Sequence, residues 1–241
     1  MHAWLANGPA PKGIHAFTTT KTDGFSHGAY ASNNLALHVD DDINHVLANR
    51  QAIINKCKIP GNPAWLDQTH STLCVHVEHD SNRQADAAIT LQPNQPLVIL
   101  TADCLPILLC SLNGVEIAAI HAGWRGLTNG IIENTLARMH STTNQLIAWI
   151  GPGICNSCYQ VGGETRAQII QNNPSLIDDF ILHDGSFYAD LAGMATRILN
   201  SHGISSVHSA NACTFEENAL FYSYRQAPVT GRMATFIWQS I

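Results

Sequence analysis

The feature that most constrains the fold is a series of short apolar segments in the middle third of the chain. Turn-forming residues separate each segment from the next. The five segments are residues 72–77, 85–91, 97–102, 105–112 and 115–121. Apolar runs of this length, bounded by turn residues, are typical of strands that are buried on both faces. We therefore expect a mostly buried sheet at the centre of the protein.

Helical spacing of apolar residues flanks this central region on both sides. Residues 43–57 and 131–139 are predicted helices, and Asp40, Asp41 and Asp42 precede the first of them, as suits the positive end of a helix. Further strands are predicted at residues 14–20, 146–150 and 233–238, and further helices at 165–171 and 190–200. Strands clustered in the middle with helices before and after favour an α+β fold with mixed sheets.

The domain organisation is predicted to be simple. No repeat, linker or low-complexity tract divides the 241 residues, so residues 1–241 are expected to form a single domain, with residues 1–13 as a candidate loose arm. The glycine-, serine- and asparagine-rich stretch from Lys21 to Asn34 reads as a long loop, a candidate lid or binding loop.

Composition excludes several classes of function. Twelve Lys and Arg against 18 Asp and Glu give a net charge of −6, and no basic run could follow a phosphate backbone, so nucleic acid is not an expected partner. No apolar stretch reaches the ~18 residues needed to span a membrane, and the N-terminus lacks a secretion signal. The seven cysteines are irregularly spaced, which argues against a disulfide framework. We expect a cytoplasmic protein with reduced thiols.

The turn dipeptide Asn113-Gly114 joins two of the central segments. Asn-Gly between apolar runs predicts a hairpin with a type I′ turn, in which both central residues have positive φ. If these two residues are the central ones, counting back along both strands places Pro106 opposite His121 and Cys104 opposite Gly123.

This register makes Cys104 and His121 candidate metal ligands. The two would be diagonal neighbours on one face, with Cβ atoms less than ~7–8 Å apart, and one zinc ion could contact both. Gly123 would leave room above the thiol. The competing interpretation is a small buried cysteine beside a hydrogen-bonded core histidine.

His70 is the preferred third ligand. It follows the strand-like residues 64–66 and so is predicted to lie in a loop at the end of a strand, where functional side chains are common. His76 and His79, in a His-x-x-His arrangement, compete with it, although His76 lies within a predicted strand. Three protein ligands with one open position are the pattern of catalytic zinc, which lowers the pKa of a coordinated water to about 7.

Two other features have alternative interpretations. Cys155 and Cys158 form a rival Cys-x-x-Cys motif, but a structural zinc site would need a second pair, and Cys213 supplies only one more thiol. A packing or loop-bracing role is therefore the favoured interpretation of this pair. Arg125, between Gly123 and Gly126, could bind phosphate or carboxylate, or could form a surface salt bridge.

Five segments carry a resemblance to a known family. They are residues 101–106 (Thr-Ala-Asp-Cys-Leu-Pro), 121–126 (His-Ala-Gly-Trp-Arg-Gly), 151–162, 222–225 and 230–234. In these segments the chain resembles the YfiH-like proteins, also called the laccase-domain or polyphenol-oxidase family. The resemblance implies a single-domain α/β sandwich of mixed β-sheets with helices outside. It also implies metal ligands at His70, Cys104 and His121, the trio already selected.

The chain departs from the family pattern at several positions. Lys21-Thr-Asp-Gly24 stands where members usually have Arg-x-Gly-Gly, and Gln160 replaces a usual Glu. None of the departures affects the trio.

The resemblance implies several activities. They are phosphorolysis of purine nucleosides with deamination of adenosine, copper-dependent polyphenol oxidation, and an amidase activity that edits peptidoglycan precursors. Multicopper oxidation ranks last, because the sequence has no His-x-His pair and one trio holds one ion.

The leading hypothesis is a zinc-dependent enzyme acting on a small-molecule substrate, a purine nucleoside with phosphate, although copper could replace zinc. Asp103 would relay protons for deamination, and Arg125, with Arg232, would position phosphate. The alternative is an amidase in which Cys104 and His121 act as nucleophile and base. A third interpretation is a metal-binding protein without enzymatic activity. The sequence leaves the oligomeric state open.

Overall fold

A computed structural model describes residues 3–240, in which five α-helices and thirteen strands are assigned. The strands are β1 (Ala3–Leu5), β2 (Ile14–Thr19), β3 (Cys74–His76), β4 (Ala87–Thr90), β5 (Leu97–Thr101), β6 (Leu105–Ser111), β7 (Ile117–Ala122), β8 (Leu146–Ile150), β9 (Gln160–Val161), β10 (Phe180–His183), β11 (Ser186–Ala189), β12 (Ser206–Ser209) and β13 (Met233–Gln239). The helices are α1 (Ile43–Cys57), α2 (Trp124–Asn129), α3 (Ile131–Arg138), α4 (Gly163–Asn172) and α5 (Leu191–Ser201).

Two packed sheets form the centre of the molecule. A six-stranded sheet has the order β12-β8-β6-β7-β4-β3, and a four-stranded sheet has the order β1-β2-β13-β5. A small third sheet has the order β10-β11-β9. The six-stranded sheet is mixed, because β3 is parallel to β4 and β12 is parallel to β8, whereas its other pairs are antiparallel. The predicted α+β fold with mixed sheets is confirmed.

Side chains on β6 show why the central segments are continuously apolar. Ile107 and Leu109 pack towards the layer that contains α3 and α5, whereas Leu108 and Cys110 pack towards the four-stranded sheet. Alternate residues of a strand point to opposite faces, and both faces of β6 are covered. On the far side of the four-stranded sheet, Ile53 of α1 packs against its outer face. The result is a sandwich of two sheets with helices on both outer surfaces.

Helix α1 has the bounds that the sequence predicts. The Asp42 side chain accepts a hydrogen bond from the backbone N–H of Asn44 at 2.8 Å and so caps the first turn. At the other end, Lys58 adopts a left-handed conformation with φ of 51° and donates its N–H to the carbonyls of Asn55 and Ile54.

The β6–β7 hairpin has the predicted register but a different turn. Pro106 pairs with His121, as the count predicts. The type I′ turn is wrong, because of the two described turn residues only Gly114 has a positive φ, of 70°. Ser111 explains the difference: its hydroxyl donates to Asn113 Oδ1 at 2.7 Å and accepts the backbone N–H of Glu116 at 3.0 Å. These bonds stabilise a wider, four-residue connection.

Other departures from the sequence prediction occur at weakly patterned segments. Residues 3–5 are not a loose arm but form β1, which pairs with β2, and Trp4 contacts Phe221 edge to face. Residues 1 and 2 of the predicted arm lie outside the described residues. Residues 64–66 do not form a strand: Ala64 alone makes an isolated bridge to Leu97. Helix α2 and strands β9 to β12 were not predicted, because they are short and mostly half-exposed. Within residues 3–240, no helix has the length and apolar character required to cross a membrane.

Candidate metal centre

Three side chains from separate elements converge at one end of the sandwich. His121 is the penultimate residue of strand β7, Cys104 follows β5 and precedes β6, and His70 lies in the loop before β3. One ligand atom from each lies within 4.8 Å of the other two, and Cys104 Sγ is 3.8 Å from His70 Nε2. The structure therefore brings together the three residues that the sequence selected as candidate ligands.

Asp86 organises this trio, and sequence analysis missed it. Its fully buried carboxylate accepts the His121 Nδ1 proton at 2.7 Å and the His70 backbone N–H at 3.0 Å. It also accepts the backbone N–H of Ser71 at 2.6 Å and the Ser71 hydroxyl at 2.7 Å. A histidine whose Nδ1 is held by a carboxylate presents Nε2 to a metal, and this pairing is common in zinc sites. A single acidic residue inside the apolar segment 85–91 was the signal that could have identified it.

The loop that carries His70 has an unusual backbone. His70 has φ of 59°, in the left-handed region, and its N–H is fixed by Asp86. Gln68, two residues before His70, pairs both polar atoms of its side-chain amide with the backbone of Leu100, at 2.8 Å in each direction. The side chain of His70 is thus presented from an anchored loop, although the residue itself is exposed.

Electrostatics in the trio stabilise the thiolate form of Cys104. Burial opposes the thiolate of Cys104, but hydrogen bonding by His121 and His70 outweighs it and lowers the pKa of Cys104 to about 6. Burial likewise opposes protonation of His121, but hydrogen bonds to Asp86 and Cys104 raise its pKa to about 9. Burial also opposes ionisation of Asp86, yet hydrogen bonds from His121 and Ser71 lower its pKa to about 2. Because the thiolate is the form of cysteine that binds metals, Cys104 is prepared for this role near neutral pH.

Gly123 provides the space that the register predicts. A Cβ atom at this position would lie 2.8 Å from Cys104 Sγ and 3.2 Å from His70 Cδ2. Any larger residue would displace the thiol or the imidazole.

The donor set fits a single ion with borderline or soft character. One sulfur and two imidazole nitrogens are typical zinc ligands, and three protein ligands leave a further position open. A cluster of several copper ions does not fit. Across residues 3–240, two groups of three candidate ligands occur, and the second, Cys155, Cys158 and Cys213, contains no histidine.

The trio faces a cavity of about 530 Å³. The cavity is lined by His38, Gln68, His70, Leu100, Thr101, Ala102, Asp103, Cys104, His121, Gly123, Trp124, Arg125, Tyr159, Tyr224, Arg225 and Arg232. Pockets of about 300–1,000 Å³ are the usual size for small-molecule ligands. In the described chain, no residue of the loop from Lys21 to Asn34 is among those lining it.

Three arginines line this cavity, of which sequence analysis identified two. Arg125 is exposed, and its guanidinium carbon lies 4.4 Å from the centre of the Trp124 ring. Arg232 is half-buried and donates to the carbonyl of Thr230 at 2.9 Å, and burial lowers the pKa of its guanidinium. Arg225, the missed cation, lies with its guanidinium carbon 4.8 Å from the centre of the Tyr159 ring.

Asp103 lies in the wall of the cavity, with φ of 93°. Its Oδ1 accepts the Thr214 hydroxyl at 2.7 Å, and its Oδ2 accepts the backbone N–H of Arg225 at 2.6 Å. The carboxylate therefore ties the residue next to Cys104 to the C-terminal part of the chain.

The competing histidines lie elsewhere. His76 is buried in β3 and its Nε2 contacts the carbonyl of Arg138 at 3.1 Å. The His76 and His79 rings are neighbours, with centroids 5.8 Å apart, but neither belongs to the group around Cys104.

The fold and the trio together define an α+β sandwich protein in which two histidines and one cysteine form a candidate mononuclear metal site beside a cavity. A family model described as multi-copper polyphenol oxidoreductase laccase matches residues 15–240, and the chain belongs to this family of YfiH-like proteins. The resemblance drawn from the five sequence segments is thereby confirmed.

Similar proteins match the chain over nearly its full length. A Haemophilus influenzae protein named purine nucleoside phosphorylase is 40% identical over 99% of both chains. An Escherichia coli protein named purine nucleoside phosphorylase YfiH is 37% identical and covers 95% of this chain and 96% of its own. A crystal structure of a Neisseria meningitidis protein has a TM-score of 0.94 at 35% identity and covers 100% of both chains.

Proposed function

We propose that this protein is a zinc-dependent enzyme that cleaves purine nucleosides with phosphate and also deaminates adenosine. The observation that carries the proposal is the trio His70, Cys104 and His121 at the wall of a cavity that is also lined by arginines and aromatic rings. The names of relatives at 40% and 37% identity support a nucleoside substrate.

The cavity has separate features for each part of such a substrate. Trp124, Tyr159 and Tyr224 provide ring faces suited to a planar purine. Arg125 and Arg232 provide the positive charge and hydrogen-bond donors that phosphate requires. Holding both reactants in one cavity replaces an encounter in solution with an oriented contact, which lowers the entropic part of the barrier.

Zinc bound by the trio would supply a Lewis acid. The chain's own residues would do the rest. Asp86 fixes the orientation of the His121 ring, and the arginines offset the negative charge of the attacking phosphate. For deamination we assign proton relay to Asp103 at Oδ1, because the Thr214 hydroxyl that contacts this oxygen can rotate away from it.

The test is turnover of adenosine and inosine by zinc-saturated protein in phosphate buffer, with products separated by chromatography. We expect free purine base and a sugar phosphate, and inosine from adenosine. Arg125→Ala should raise the KM for phosphate by about tenfold or more, since a charged hydrogen bond is worth about 1.5–3 kcal/mol. Lys56→Ala is the matched control, because it removes one exposed cation from α1. If both nucleosides remain unchanged, the proposal is wrong.

An amidase acting on peptidoglycan precursors is the second candidate. The lowered pKa of Cys104 beside His121 favours it, because the same pair could act as nucleophile and base. Turnover of a muramyl peptide by protein that leaves nucleosides unchanged would support this candidate. Copper-dependent polyphenol oxidation remains the last choice.

We also propose that the protein works in the reducing cytoplasm. All seven cysteines are unpaired, and three of them approach one another without a disulfide.

A further inference from the structure

A cluster of three cysteines, separate from the trio around Cys104, lies in the segments that follow β8 and β12. Cys155 and Cys158 are in the turn between β8 and β9, and Cys213 is in the segment between β12 and β13. The three sulfur atoms all lie within 4.8 Å of one another. The backbone N–H of Cys155 also donates to Cys213 Sγ at 3.3 Å, which fixes the relative position of the two segments.

A carboxylate lies beside Cys158 at the edge of the cluster. Glu216 Oε1 lies 3.5 Å from Cys158 Sγ and 3.5 Å from the Ser157 hydroxyl. Glu216 also lies only three residues after Cys213, so a single turn of chain supplies two candidate ligands. Rotation of the exposed Glu216 side chain would add one carboxylate oxygen to the three sulfurs, which is sufficient for a tetrahedral site with no position left open.

We propose that Cys155, Cys158, Cys213 and Glu216 form a second metal site that binds zinc and has a structural role. Zinc is the cation best suited to this set, because thiolates select soft or borderline metals and four protein ligands close the coordination sphere. The first site differs in having three ligands and an open cavity.

The position of the cluster explains what the second ion would stabilise. Ile154, next to Cys155, donates its N–H to the Asp103 carbonyl at 2.9 Å, and Thr214, next to Cys213, donates to the Asp103 carboxylate. Tyr159, next to Cys158, lines the cavity of the first site. The second ion would therefore join the two segments that hold the residue preceding Cys104.

Zinc content of protein purified under reducing conditions tests this site independently of activity. We expect about two zinc ions per chain in the parent, about one in Cys104→Ala, about one in Cys158→Ser, and none in the double variant. Cys57→Ser is the matched control, since Cys57 is a half-buried cysteine on α1, and it should retain both ions. Cobalt bound to Cys104→Ala should show the strong sulfur-to-metal charge-transfer absorption of a site with several thiolates.

Two results would overturn the proposal. One is a Cys104→Ala variant that has the circular dichroism of the parent but binds no zinc or cobalt. The other is an intact mass, measured on unreduced protein from a reducing cytoplasm, that is lower by two hydrogens and maps to a disulfide within the cluster. If Cys158→Ser does not fold, alkylation of the parent decides. Zinc should protect Cys155 and Cys158 from the reagent, and equal labelling with and without zinc contradicts the site.

Discussion

Asp86→Asn is the substitution that most directly probes how the metal centre is built. Asparagine has nearly the same shape as aspartate but lacks the charge and replaces one acceptor oxygen with a donor NH₂ group. Asp86 uses one oxygen for His121 and His70 and the other for Ser71 and Thr69. Whichever way the amide turns, its NH₂ must face at least one N–H donor.

We expect Asp86→Asn to weaken zinc binding and to lower the stability of the metal-free protein. Loss of a carboxylate partner of a metal-binding histidine weakens metal affinity by about 10–100-fold, which corresponds to about 1.4–2.8 kcal/mol. We also expect the free energy of unfolding to fall by about 3 kcal/mol. At least one charge-assisted bond worth about 1.5–3 kcal/mol is lost, and a buried donor is left unpaired.

The assay combines zinc competition against a chromophoric chelator with urea unfolding in the presence of EDTA. The first gives the zinc affinity, and the second gives the stability of the metal-free protein. Asp80→Asn is the matched control: this partly exposed acid accepts the His76 N–H at 2.7 Å and pairs with Arg138, away from the trio. The control should keep its zinc affinity.

A zinc affinity within about threefold of the parent for Asp86→Asn would refute the reasoning, because it is below the smallest effect expected from such a partner. Unchanged stability in EDTA would separately contradict the role of the carboxylate in holding the loop that carries His70.

Three further perturbations test other parts of the account. Gly123→Ala should lower zinc affinity by about tenfold or more in the same competition assay, because the new Cβ would lie 2.8 Å from the sulfur of Cys104; unchanged affinity would show that the site has room to spare. Glu116→Gln should reduce stability at neutral pH and flatten its decline in acid, as measured by urea unfolding across pH. Burial opposes ionisation of Glu116, but hydrogen bonds hold its pKa below the usual value. The contribution of Glu116 to stability is therefore present above about pH 4.3 and is lost as pH falls through the lowered pKa of the folded state. Parallel curves of stability against pH for parent and variant would contradict this. Gln68→Ala should lower the free energy of unfolding by about 1–3 kcal/mol, because the backbone N–H and carbonyl of Leu100 both lose their partner. A melting temperature equal to that of the parent would argue against the anchoring role of Gln68.

Much of the fold could be predicted because burial dictates the sequence pattern. Helix α1 and strand β8 have the predicted bounds, since each has a clear apolar pattern and defined ends. Strands β9 to β12 were missed because they are two to four residues long and have few buried side chains. Their positions depend on contacts with distant parts of the chain, which local pattern does not encode.

The candidate site also contains features that local sequence predicts and features that depend on distant contacts. Counting along two strands predicts the pairing of Pro106 with His121, and the structure has this pairing although the predicted turn type is wrong. Asp86 could not be assigned in this way, because its partners His70 and His121 lie 16 and 35 residues away along the chain. The sequence alone could not show that Cys155 lies close to Cys213, because this contact also depends on tertiary packing.

The most direct measurement for the central claim is anomalous diffraction at the zinc absorption edge from crystals loaded with zinc. We expect a peak within about 2.3 Å of Cys104 Sγ and about 2.1 Å of one nitrogen each from His70 and His121, whatever the occupancy of the cysteine cluster. Fully loaded crystals with no peak among these three side chains would contradict it.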